Sequence, residues 1–172
     1  RRSSDLTTTL CLIPAVREAT TLPLIAAGGI GTGEAIFALM ALGAEGVQMG
    51  TRFALTDESS ASDIFKEYCL RLNEGDTKLL LKKLAPTRLV TNSFRDRVEA
   101  AEGRGASAEE LRELLGRGRA KKGIFEGDLE EGELEIGQVA ALFRRRQSVD
   151  EVMKELLEGY RRASDKIRSA GL

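Results

Sequence analysis

Two short apolar segments, each running into glycine, constrain the fold of this chain more than any other feature. They are residues 23–27 and 46–50, and the stretch between them, 34–42, has the spacing of a helix that ends at Gly43. Strands that are apolar on both faces are typical of parallel sheets, which helices cover on both sides. Strand, helix and strand at this spacing predict a βαβ unit, and therefore an α/β fold.

Two glycine turns follow these predicted strands, at the end where a parallel sheet places its binding sites. Gly28-Gly29 follows the first strand and Gly50-Thr51 the second, so both turns are expected on one rim of the sheet. Glycine allows a bound group to approach the backbone, and free N–H groups at the start of a helix hold anions. The pair of turns predicts a phosphate cradle, to which Thr51 adds a hydroxyl donor. The alternative, two ordinary turns, stays open at this point.

Two well-known phosphate motifs are excluded. Gly29-Ile30-Gly31 supplies the first two glycines of the dinucleotide fingerprint, but Glu34 stands where the third is required. The P-loop pattern is also absent, because no Gly-Lys-Ser or Gly-Lys-Thr occurs in the sequence.

The sequence around both turns resembles the nitronate monooxygenase family, which includes the former 2-nitropropane dioxygenases and the flavin-dependent enoyl-acyl-carrier-protein reductases. The likeness lies in Leu24–Ile30, Ala41–Phe53 and Lys122–Leu129, continues at 137–139, and covers most of the chain in the family's order. It implies FMN as the cofactor. For the whole protein it implies oxidation of small-molecule alkyl nitronates with oxygen, in which the flavin carries the redox chemistry.

The resemblance also implies a set of cofactor-binding residues. The backbone of Gly29, Gly50 and Thr51 would hold the FMN phosphate. Gln48 and Met49 would line the same strand end, with Gly28 close by. The region near Gly137-Gln138 would fold back toward the flavin face.

In this family the two strands would be the seventh and eighth of a (β/α)8 TIM barrel. The resemblance therefore implies the C-terminal part of an FMN-binding barrel plus a helical C-terminal segment, which we divide into 1–75 and 76–172. The six earlier strands would precede residue 1, together with a Gly-Gly-His turn that carries the family's usual catalytic histidine. Because the sequence contains no histidine, no catalytic residue is assigned to this chain.

A barrel of this kind needs about 250 residues, and two parallel strands alone leave open edges that invite pairing. We therefore expect a fragment of a longer protein, a chain completed by an N-terminal half or by further copies of itself, or a chain repacked into a smaller helical domain. Three functions stay open: nitronate oxidation, FMN-dependent enoyl-acyl-carrier-protein reduction, and a non-catalytic remnant or interaction module. The residues that separate the two enzymes are expected mostly outside the chain.

Composition narrows the partners and the compartment. A net charge of −1 and the lack of a long apolar stretch indicate neither nucleic acid nor a membrane as a partner. Cys11 and Cys69 fit no metal or redox spacing and are expected to be buried thiols in a reducing cytoplasm. No metal site is predicted.

The first half of the chain offers three further elements. A helix is expected over 6–20, with Pro14 at the start of its regular part. A second helix is expected to run through Leu72 after the second strand, and 88–91 is expected to be extended.

Capping residues mark the later helices. Ser107 with Glu110, and Ser148 with Glu151, form the pattern of a capping box. A short helix is expected at Gln138–Arg146. The last helix carries an apolar stripe that indicates a packing face, or a partner-binding face if nothing covers it: Val149, Val152, Met153, Leu156, Leu157 and Tyr160.

Charged residues are mostly expected at the surface. The acidic stretch from Glu126 to Glu135 is interpreted as a solvated loop, since it lacks the spacing of a calcium loop. Arg144–Arg146 is interpreted as the polar end of a helix, and Arg52 as either a phosphate partner or half of a structural salt bridge. A basic set is interpreted as a solvated helix surface, without the aromatic residues of a nucleic-acid site: Arg112, Arg117, Arg119, Lys121 and Lys122.

Overall fold

The predicted βαβ unit is present in the computed structural model, which describes residues 7–171. It consists of β1 (Ile25–Ala27), α2 (Gly33–Ala41) and β2 (Gly46–Gln48). The two strands pair in parallel, with Ile25 opposite Gly46 and Ala27 opposite Gln48. The expectation of an α/β fold is therefore confirmed.

Three more helices belong to the same unit: α1 (Thr9–Ala19), α3 (Thr51–Ala54) and α7 (Val149–Ser169). Helix α1 packs with the strands and α2 around one apolar cluster, formed by Ile13, Ala26, Ile30, Leu39 and Ala44. Helix α7 packs against α2 and α3. Leu6 of the predicted first helix lies outside the described residues.

Pro14 lies inside α1, so the expectation that it starts the regular helix is wrong. Proline lacks an N–H, so one backbone hydrogen bond is lost at that point. The helix still begins at Thr9, because the N–H groups of Cys11 and Leu12 both bond to the carbonyl of Thr8.

The second unit comprises Ser59–Arg146 and is built around an antiparallel hairpin. Its core holds Leu80, Leu81, Leu89, Phe94 and Val98. Its elements, in chain order, are α4 (Asp63–Cys69), β3 (Thr77–Leu80), β4 (Thr87–Val90), α5 (Ser93–Gly103), α6 (Ala108–Leu115), a π-helical turn (Lys121–Phe125) and a 3₁₀ helix (Gln138–Leu142).

This division differs from the predicted boundary at residue 75. The first unit takes the described parts of Arg1–Glu58 and Gln147–Leu172, because the apolar face of α7 packs against α2. The helix expected to run through Leu72 is α4, which ends at Cys69, and the segment directly after the second strand forms a separate short helix, α3.

Both capping boxes are confirmed. The amide of Glu110 donates to Ser107 Oγ at 3.1 Å, and the amide of Ser107 donates to the Glu110 carboxylate at 2.7 Å. Ser148 and Glu151 make the same exchange at the start of α7. Each box satisfies two amides that a helix start otherwise leaves without partners.

The two cysteines lie in different environments. Cys69 is buried, and burial raises the pKa of its thiol to about 12. Cys11 is exposed on α1, so the expectation of a buried thiol there is wrong. The buried residue of that helix is Ile13, which faces the core from two positions further along. Within 7–171, no helix is both long and apolar enough to cross a bilayer.

Candidate functional site

The two glycine turns leave the same edge of the parallel strand pair. Ala27 and Gln48 are register partners at the carboxyl ends of β1 and β2. Gly28-Gly29 follows the first of them directly, and Met49-Gly50 follows the second, so the six residues predicted to hold a cofactor lie along one edge. This is the edge at which parallel sheets place ligands.

Space is open beside the glycines of both turns. A Cβ atom built on Gly29 or on Gly50 meets no heavy atom within 4 Å. Gly28 and Gly29 have φ of 97° and 72°, which other residues rarely adopt, so the backbone explains glycine at those two positions. Gly50 has φ of −95°, which any residue adopts. Neither packing nor backbone geometry therefore requires glycine at position 50.

The first turn is held in place by hydrogen bonds on both sides. Thr9 Oγ1 in α1 donates to the carbonyl of Gly28 at 3.2 Å. Thr32 caps α2, its Oγ1 accepting from the amide of Ala35 at 3.2 Å. Ile30 between them is buried in the core. The chain therefore leaves β1 and enters α2 along a fixed path.

The second turn leads into α3 through a buried arginine. Arg52 is 5 % exposed, and its Nη2 donates to Glu155 Oε2 at 2.8 Å and to Gln147 Oε1 at 2.9 Å. Of the two roles that the sequence left open for Arg52, the structure shows the salt bridge. Gln147 and Glu155 lie 95 and 103 residues away, so no local pattern in the sequence identifies them as partners.

Gln48 and Met49 contribute differently to this edge. Gln48 is exposed as the last residue of β2. Met49 lines an open apolar pocket of about 490 Å³ formed by residues of β2, α2, α3 and α7 and the turn after β2. Its other lining residues are Ile36, Met40, Val47, Phe53, Met153, Leu156, Leu157 and Tyr160. The apolar stripe of α7 is thus a packing face in part and a cavity wall in part.

The acidic stretch of the second unit is not simply a solvated loop. Lys122 forms a hydrogen bond with Asp128, which lowers the pKa of that carboxyl to about 2. A bidentate hydrogen bond from Arg97 lowers the pKa of Glu131. Glu133 is buried, and burial, followed by the charge of Glu135, raises its pKa to about 7. Among residues 7–171, no group of three or more acidic or thiol side chains is placed to hold a metal ion.

Four members of the basic set are exposed, as interpreted: Arg112, Arg117, Lys121 and Lys122. The fifth member and the arginine run depart from their interpretations. Arg119 is partly buried, with its guanidinium 4.5 Å from the centre of the Phe94 ring, rather than on a solvated helix surface. The 3₁₀ helix ends at Leu142, before the arginine run, so Arg144 and Arg146 do not lie at a helix end. Arg144 donates instead to the carbonyl of Leu72, and Arg146 donates to the carboxylate of Asp63.

Gly137 and Gln138 lie at the start of the 3₁₀ helix in the second unit. Gln138 is exposed there. Its expected approach to a flavin stays a prediction.

Comparison with known proteins gives a consistent picture. The sequence model of the family described as nitronate monooxygenase matches residues 1–159. A probable nitronate monooxygenase from Staphylococcus aureus is 39% identical over 98 residues, which is 55% of this chain and 27% of that protein. The match to this curated relative thus spans about a quarter of its length.

Two solved structures superpose on nearly the whole chain. FabK from Thermotoga maritima has a TM-score of 0.88 and 32% identity, covering 96% of this chain and 52% of that one. Nitroalkane oxidase from Streptomyces ansochromogenes has a TM-score of 0.74 and 29% identity, covering 97% of this chain and 48% of that one. The chain therefore spans about half the length of each.

Proposed function

Because the chain belongs to the nitronate monooxygenase family, we propose that its two glycine turns hold the phosphate of FMN as the C-terminal part of a (β/α)8 barrel. The observation that carries the proposal is the open space beside Gly29 and Gly50 at one edge of a parallel strand pair. A phosphate needs several N–H donors and room to approach them, and both turns supply these at the ends of strands.

The residues of the two turns contribute to phosphate binding in different ways. The backbone N–H groups of Gly29, Gly50 and Thr51 donate to phosphate oxygens, and the hydroxyl of Thr51 adds a donor. Because Gly50 has no side chain, the phosphate can approach its backbone closely. Gly28 shapes the first turn, and the strand end beside the phosphate is formed by the backbone of Gln48 and Met49.

For the whole protein we propose an FMN-dependent oxidoreductase that oxidises small-molecule alkyl nitronates with oxygen. The cofactor supplies the electron-transfer chemistry when bound, and this chain fixes its phosphate end. The sequence contains no histidine, so we assign proton transfer to no residue of the chain.

We propose that further strands complete the sheet, from an N-terminal segment of a longer protein or from a second copy. Within residues 7–171, β1 and β2 pair only with each other. Ile25 is 55 % exposed although it is an apolar strand residue. Additional strands would pair with the open edges of β1 and β2 and would cover the Ile25 side chain.

A second candidate is FMN-dependent reduction of an enoyl thioester by a nicotinamide donor, within the same family. The higher TM-score to FabK than to nitroalkane oxidase favours keeping it. Both candidates use the same phosphate site.

The test is a titration of the whole chain with flavin, in which quenching of the flavin fluorescence reports binding. FMN is expected to bind more tightly than riboflavin, which lacks the phosphate. A folded chain that binds the two flavins equally, or binds neither, contradicts the phosphate site. In the flavin-loaded protein, anaerobic bleaching of the visible flavin band by an alkyl nitronate supports the first candidate. Bleaching by a reduced nicotinamide followed by recovery with an enoyl thioester supports the second.

A further inference from the structure

We infer that Arg52 is a positioning residue, which fixes the second glycine turn through Gln147 and Glu155 and does not itself bind the phosphate. The inference rests on the proposed FMN site, and it assigns the two later residues, which no sequence motif marks, a part in cofactor binding.

Helix α3 is too short to fix its own direction. It contains four residues, and isolated helices shorter than about 12 residues are marginal in water. Its direction must therefore come from contacts with other elements. Arg52 is the buried residue of this helix, and it follows Gly50 and Thr51 directly. The orientation of the N–H groups in the turn thus depends on where the Arg52 side chain is held.

Arg52, Gln147 and Glu155 form a closed triangle of hydrogen bonds. Arg52 Nη2 donates to Glu155 Oε2 and to Gln147 Oε1, and Gln147 Nε2 donates to the same Glu155 oxygen at 2.8 Å. All three sides are hydrogen bonds with charged or amide partners. These bonds fix the position of Arg52 Nη2 and pair the buried charge with a carboxylate.

A backbone contact also holds the chain just after α3. The carbonyl of Gln147 accepts the amide of Asp57 at 3.1 Å, and Thr56 forms a parallel bridge with Gln147. Gln147 thus contacts the chain both within α3 and directly after it. The start of α7 therefore holds the short helix at both ends.

Arg52 cannot both hold the turn in place and bind the phosphate with the same side-chain position. If Arg52 turned toward a phosphate, its buried guanidinium would lose the carboxylate of Glu155 and the amide of Gln147, and a buried charge without its partners is costly. The two roles also predict opposite effects of Glu155. Removing its negative charge favours a dianionic phosphate nearby if Arg52 is a ligand, because the arginine is released. The same change weakens phosphate binding if the carboxylate holds Arg52 in place.

The experiment compares three variants of the whole chain: Arg52→Met, Glu155→Gln and the control Arg162→Met. Arg162 pairs with Glu34 and also joins α7 to another helix, but it is exposed. Two quantities are measured for each: the ratio of the dissociation constants for riboflavin and FMN, and amide hydrogen exchange without flavin. The informative amides are those that bond within or beside α3: Phe53, Ala54, Thr56 and Asp57.

We expect Arg52→Met and Glu155→Gln each to weaken FMN binding by about tenfold, as removal of groups that orient ligand-binding residues commonly does. Riboflavin binding is expected to change little, and exchange of the four amides to quicken. The control is expected to change neither. If Arg52→Met fails to fold, Glu155→Gln carries the same comparison.

Tighter or unchanged FMN binding in Glu155→Gln overturns the positioning role. If the unaltered chain shows no preference for FMN over riboflavin, the proposed phosphate site fails, and amide exchange then decides the present inference separately. Exchange in Glu155→Gln no faster than in Arg162→Met would overturn it.

Discussion

Gly33, the first residue of α2, lies directly against the backbone of Gly159 in α7. A Cβ atom at position 33 would fall 2.7 Å from the carbonyl carbon of Gly159, and still closer to Leu156 O and Tyr160 N. Contacts with backbone atoms cannot be relieved by rotating a side chain, so the glycine sets how closely the two helices approach.

Substituting Gly33→Ala is therefore expected to destabilise the chain, although alanine is the better helix former. Overpacking of a close contact costs about 1–3 kcal/mol, and the backbone partners here favour the upper end. Urea unfolding followed by circular dichroism measures the change. The matched control is Gly103→Ala in α5, where an added Cβ meets nothing within 4 Å. A Gly33→Ala protein as stable as the control variant would contradict the close crossing.

The substitution Gly50→Ala separates cofactor binding from folding. The backbone at Gly50 suits alanine and no protein atom lies within 4 Å of the added carbon, so the folded chain is expected to keep its stability. A methyl group in the proposed cradle would obstruct the phosphate, and FMN affinity is expected to fall by at least about tenfold, which is about 1.4 kcal/mol.

Fluorescence titration with FMN and with riboflavin checks this outcome, and Gly103→Ala again provides the control. Unchanged FMN affinity in a folded Gly50→Ala chain would place the phosphate elsewhere.

Local signals explain what the sequence predicted well. The βαβ unit follows from residues close together in the chain, and both capping boxes are patterns of four residues. Helix α5 was missed although it carries similar signals. Asn92 caps it by accepting from the amide of Arg95 at 2.8 Å, and Phe94, Val98 and Ala101 are buried at helical spacing.

Long-range packing explains what the sequence did not predict. The strand pattern indicated both glycine turns and the family resemblance linked them to FMN, but the contact of Arg52 with Gln147 joins residues 95 positions apart. Nothing near either residue specifies the pair. Cys11 and Arg119 show the same limit, because a helix has exposed and buried faces, and only the finished fold decides which face a given residue takes.

Arg119 is expected to be difficult to replace, even by lysine. Its Nε donates to the carbonyl of Leu115 at 2.8 Å, its Nη1 donates to the carbonyl of Glu131 at 2.7 Å, and its plane lies over Phe94. Lysine has neither the fork nor the flat face, so Arg119→Lys is expected to cost about 1–2 kcal/mol.

The comparison variant for this test is Arg112→Lys, since Arg112 and its partner Glu109 are both exposed. That change is expected to alter the free energy of unfolding by less than about 0.5 kcal/mol. Equal losses in the two variants would show that the stacked position of Arg119 adds nothing.

The buried carboxyl of Glu133 predicts that stability falls as pH rises. Burial, then the charge of Glu135, raises its pKa in the folded chain from 4.5 to about 7, while Arg119 opposes the shift. Below pH 4.5 the carboxyl is protonated in both the folded and unfolded chains. Between 4.5 and about 7 the folded chain binds more protons, so stability is lost through this window as the carboxyl must ionise.

Glu133→Gln removes this titration while keeping a similar shape. Each pKa unit corresponds to about 1.4 kcal/mol, so the variant is expected to gain up to about 3 kcal/mol over the original chain as the pH rises from 4.5 to 8. Urea unfolding at a series of pH values measures the difference, with Glu126→Gln at the exposed glutamate as the control. If the difference in the free energy of unfolding stays constant across this range, Glu133 does not titrate abnormally. If that difference shrinks as the pH rises, the pKa of Glu133 is lowered in the folded chain and not raised.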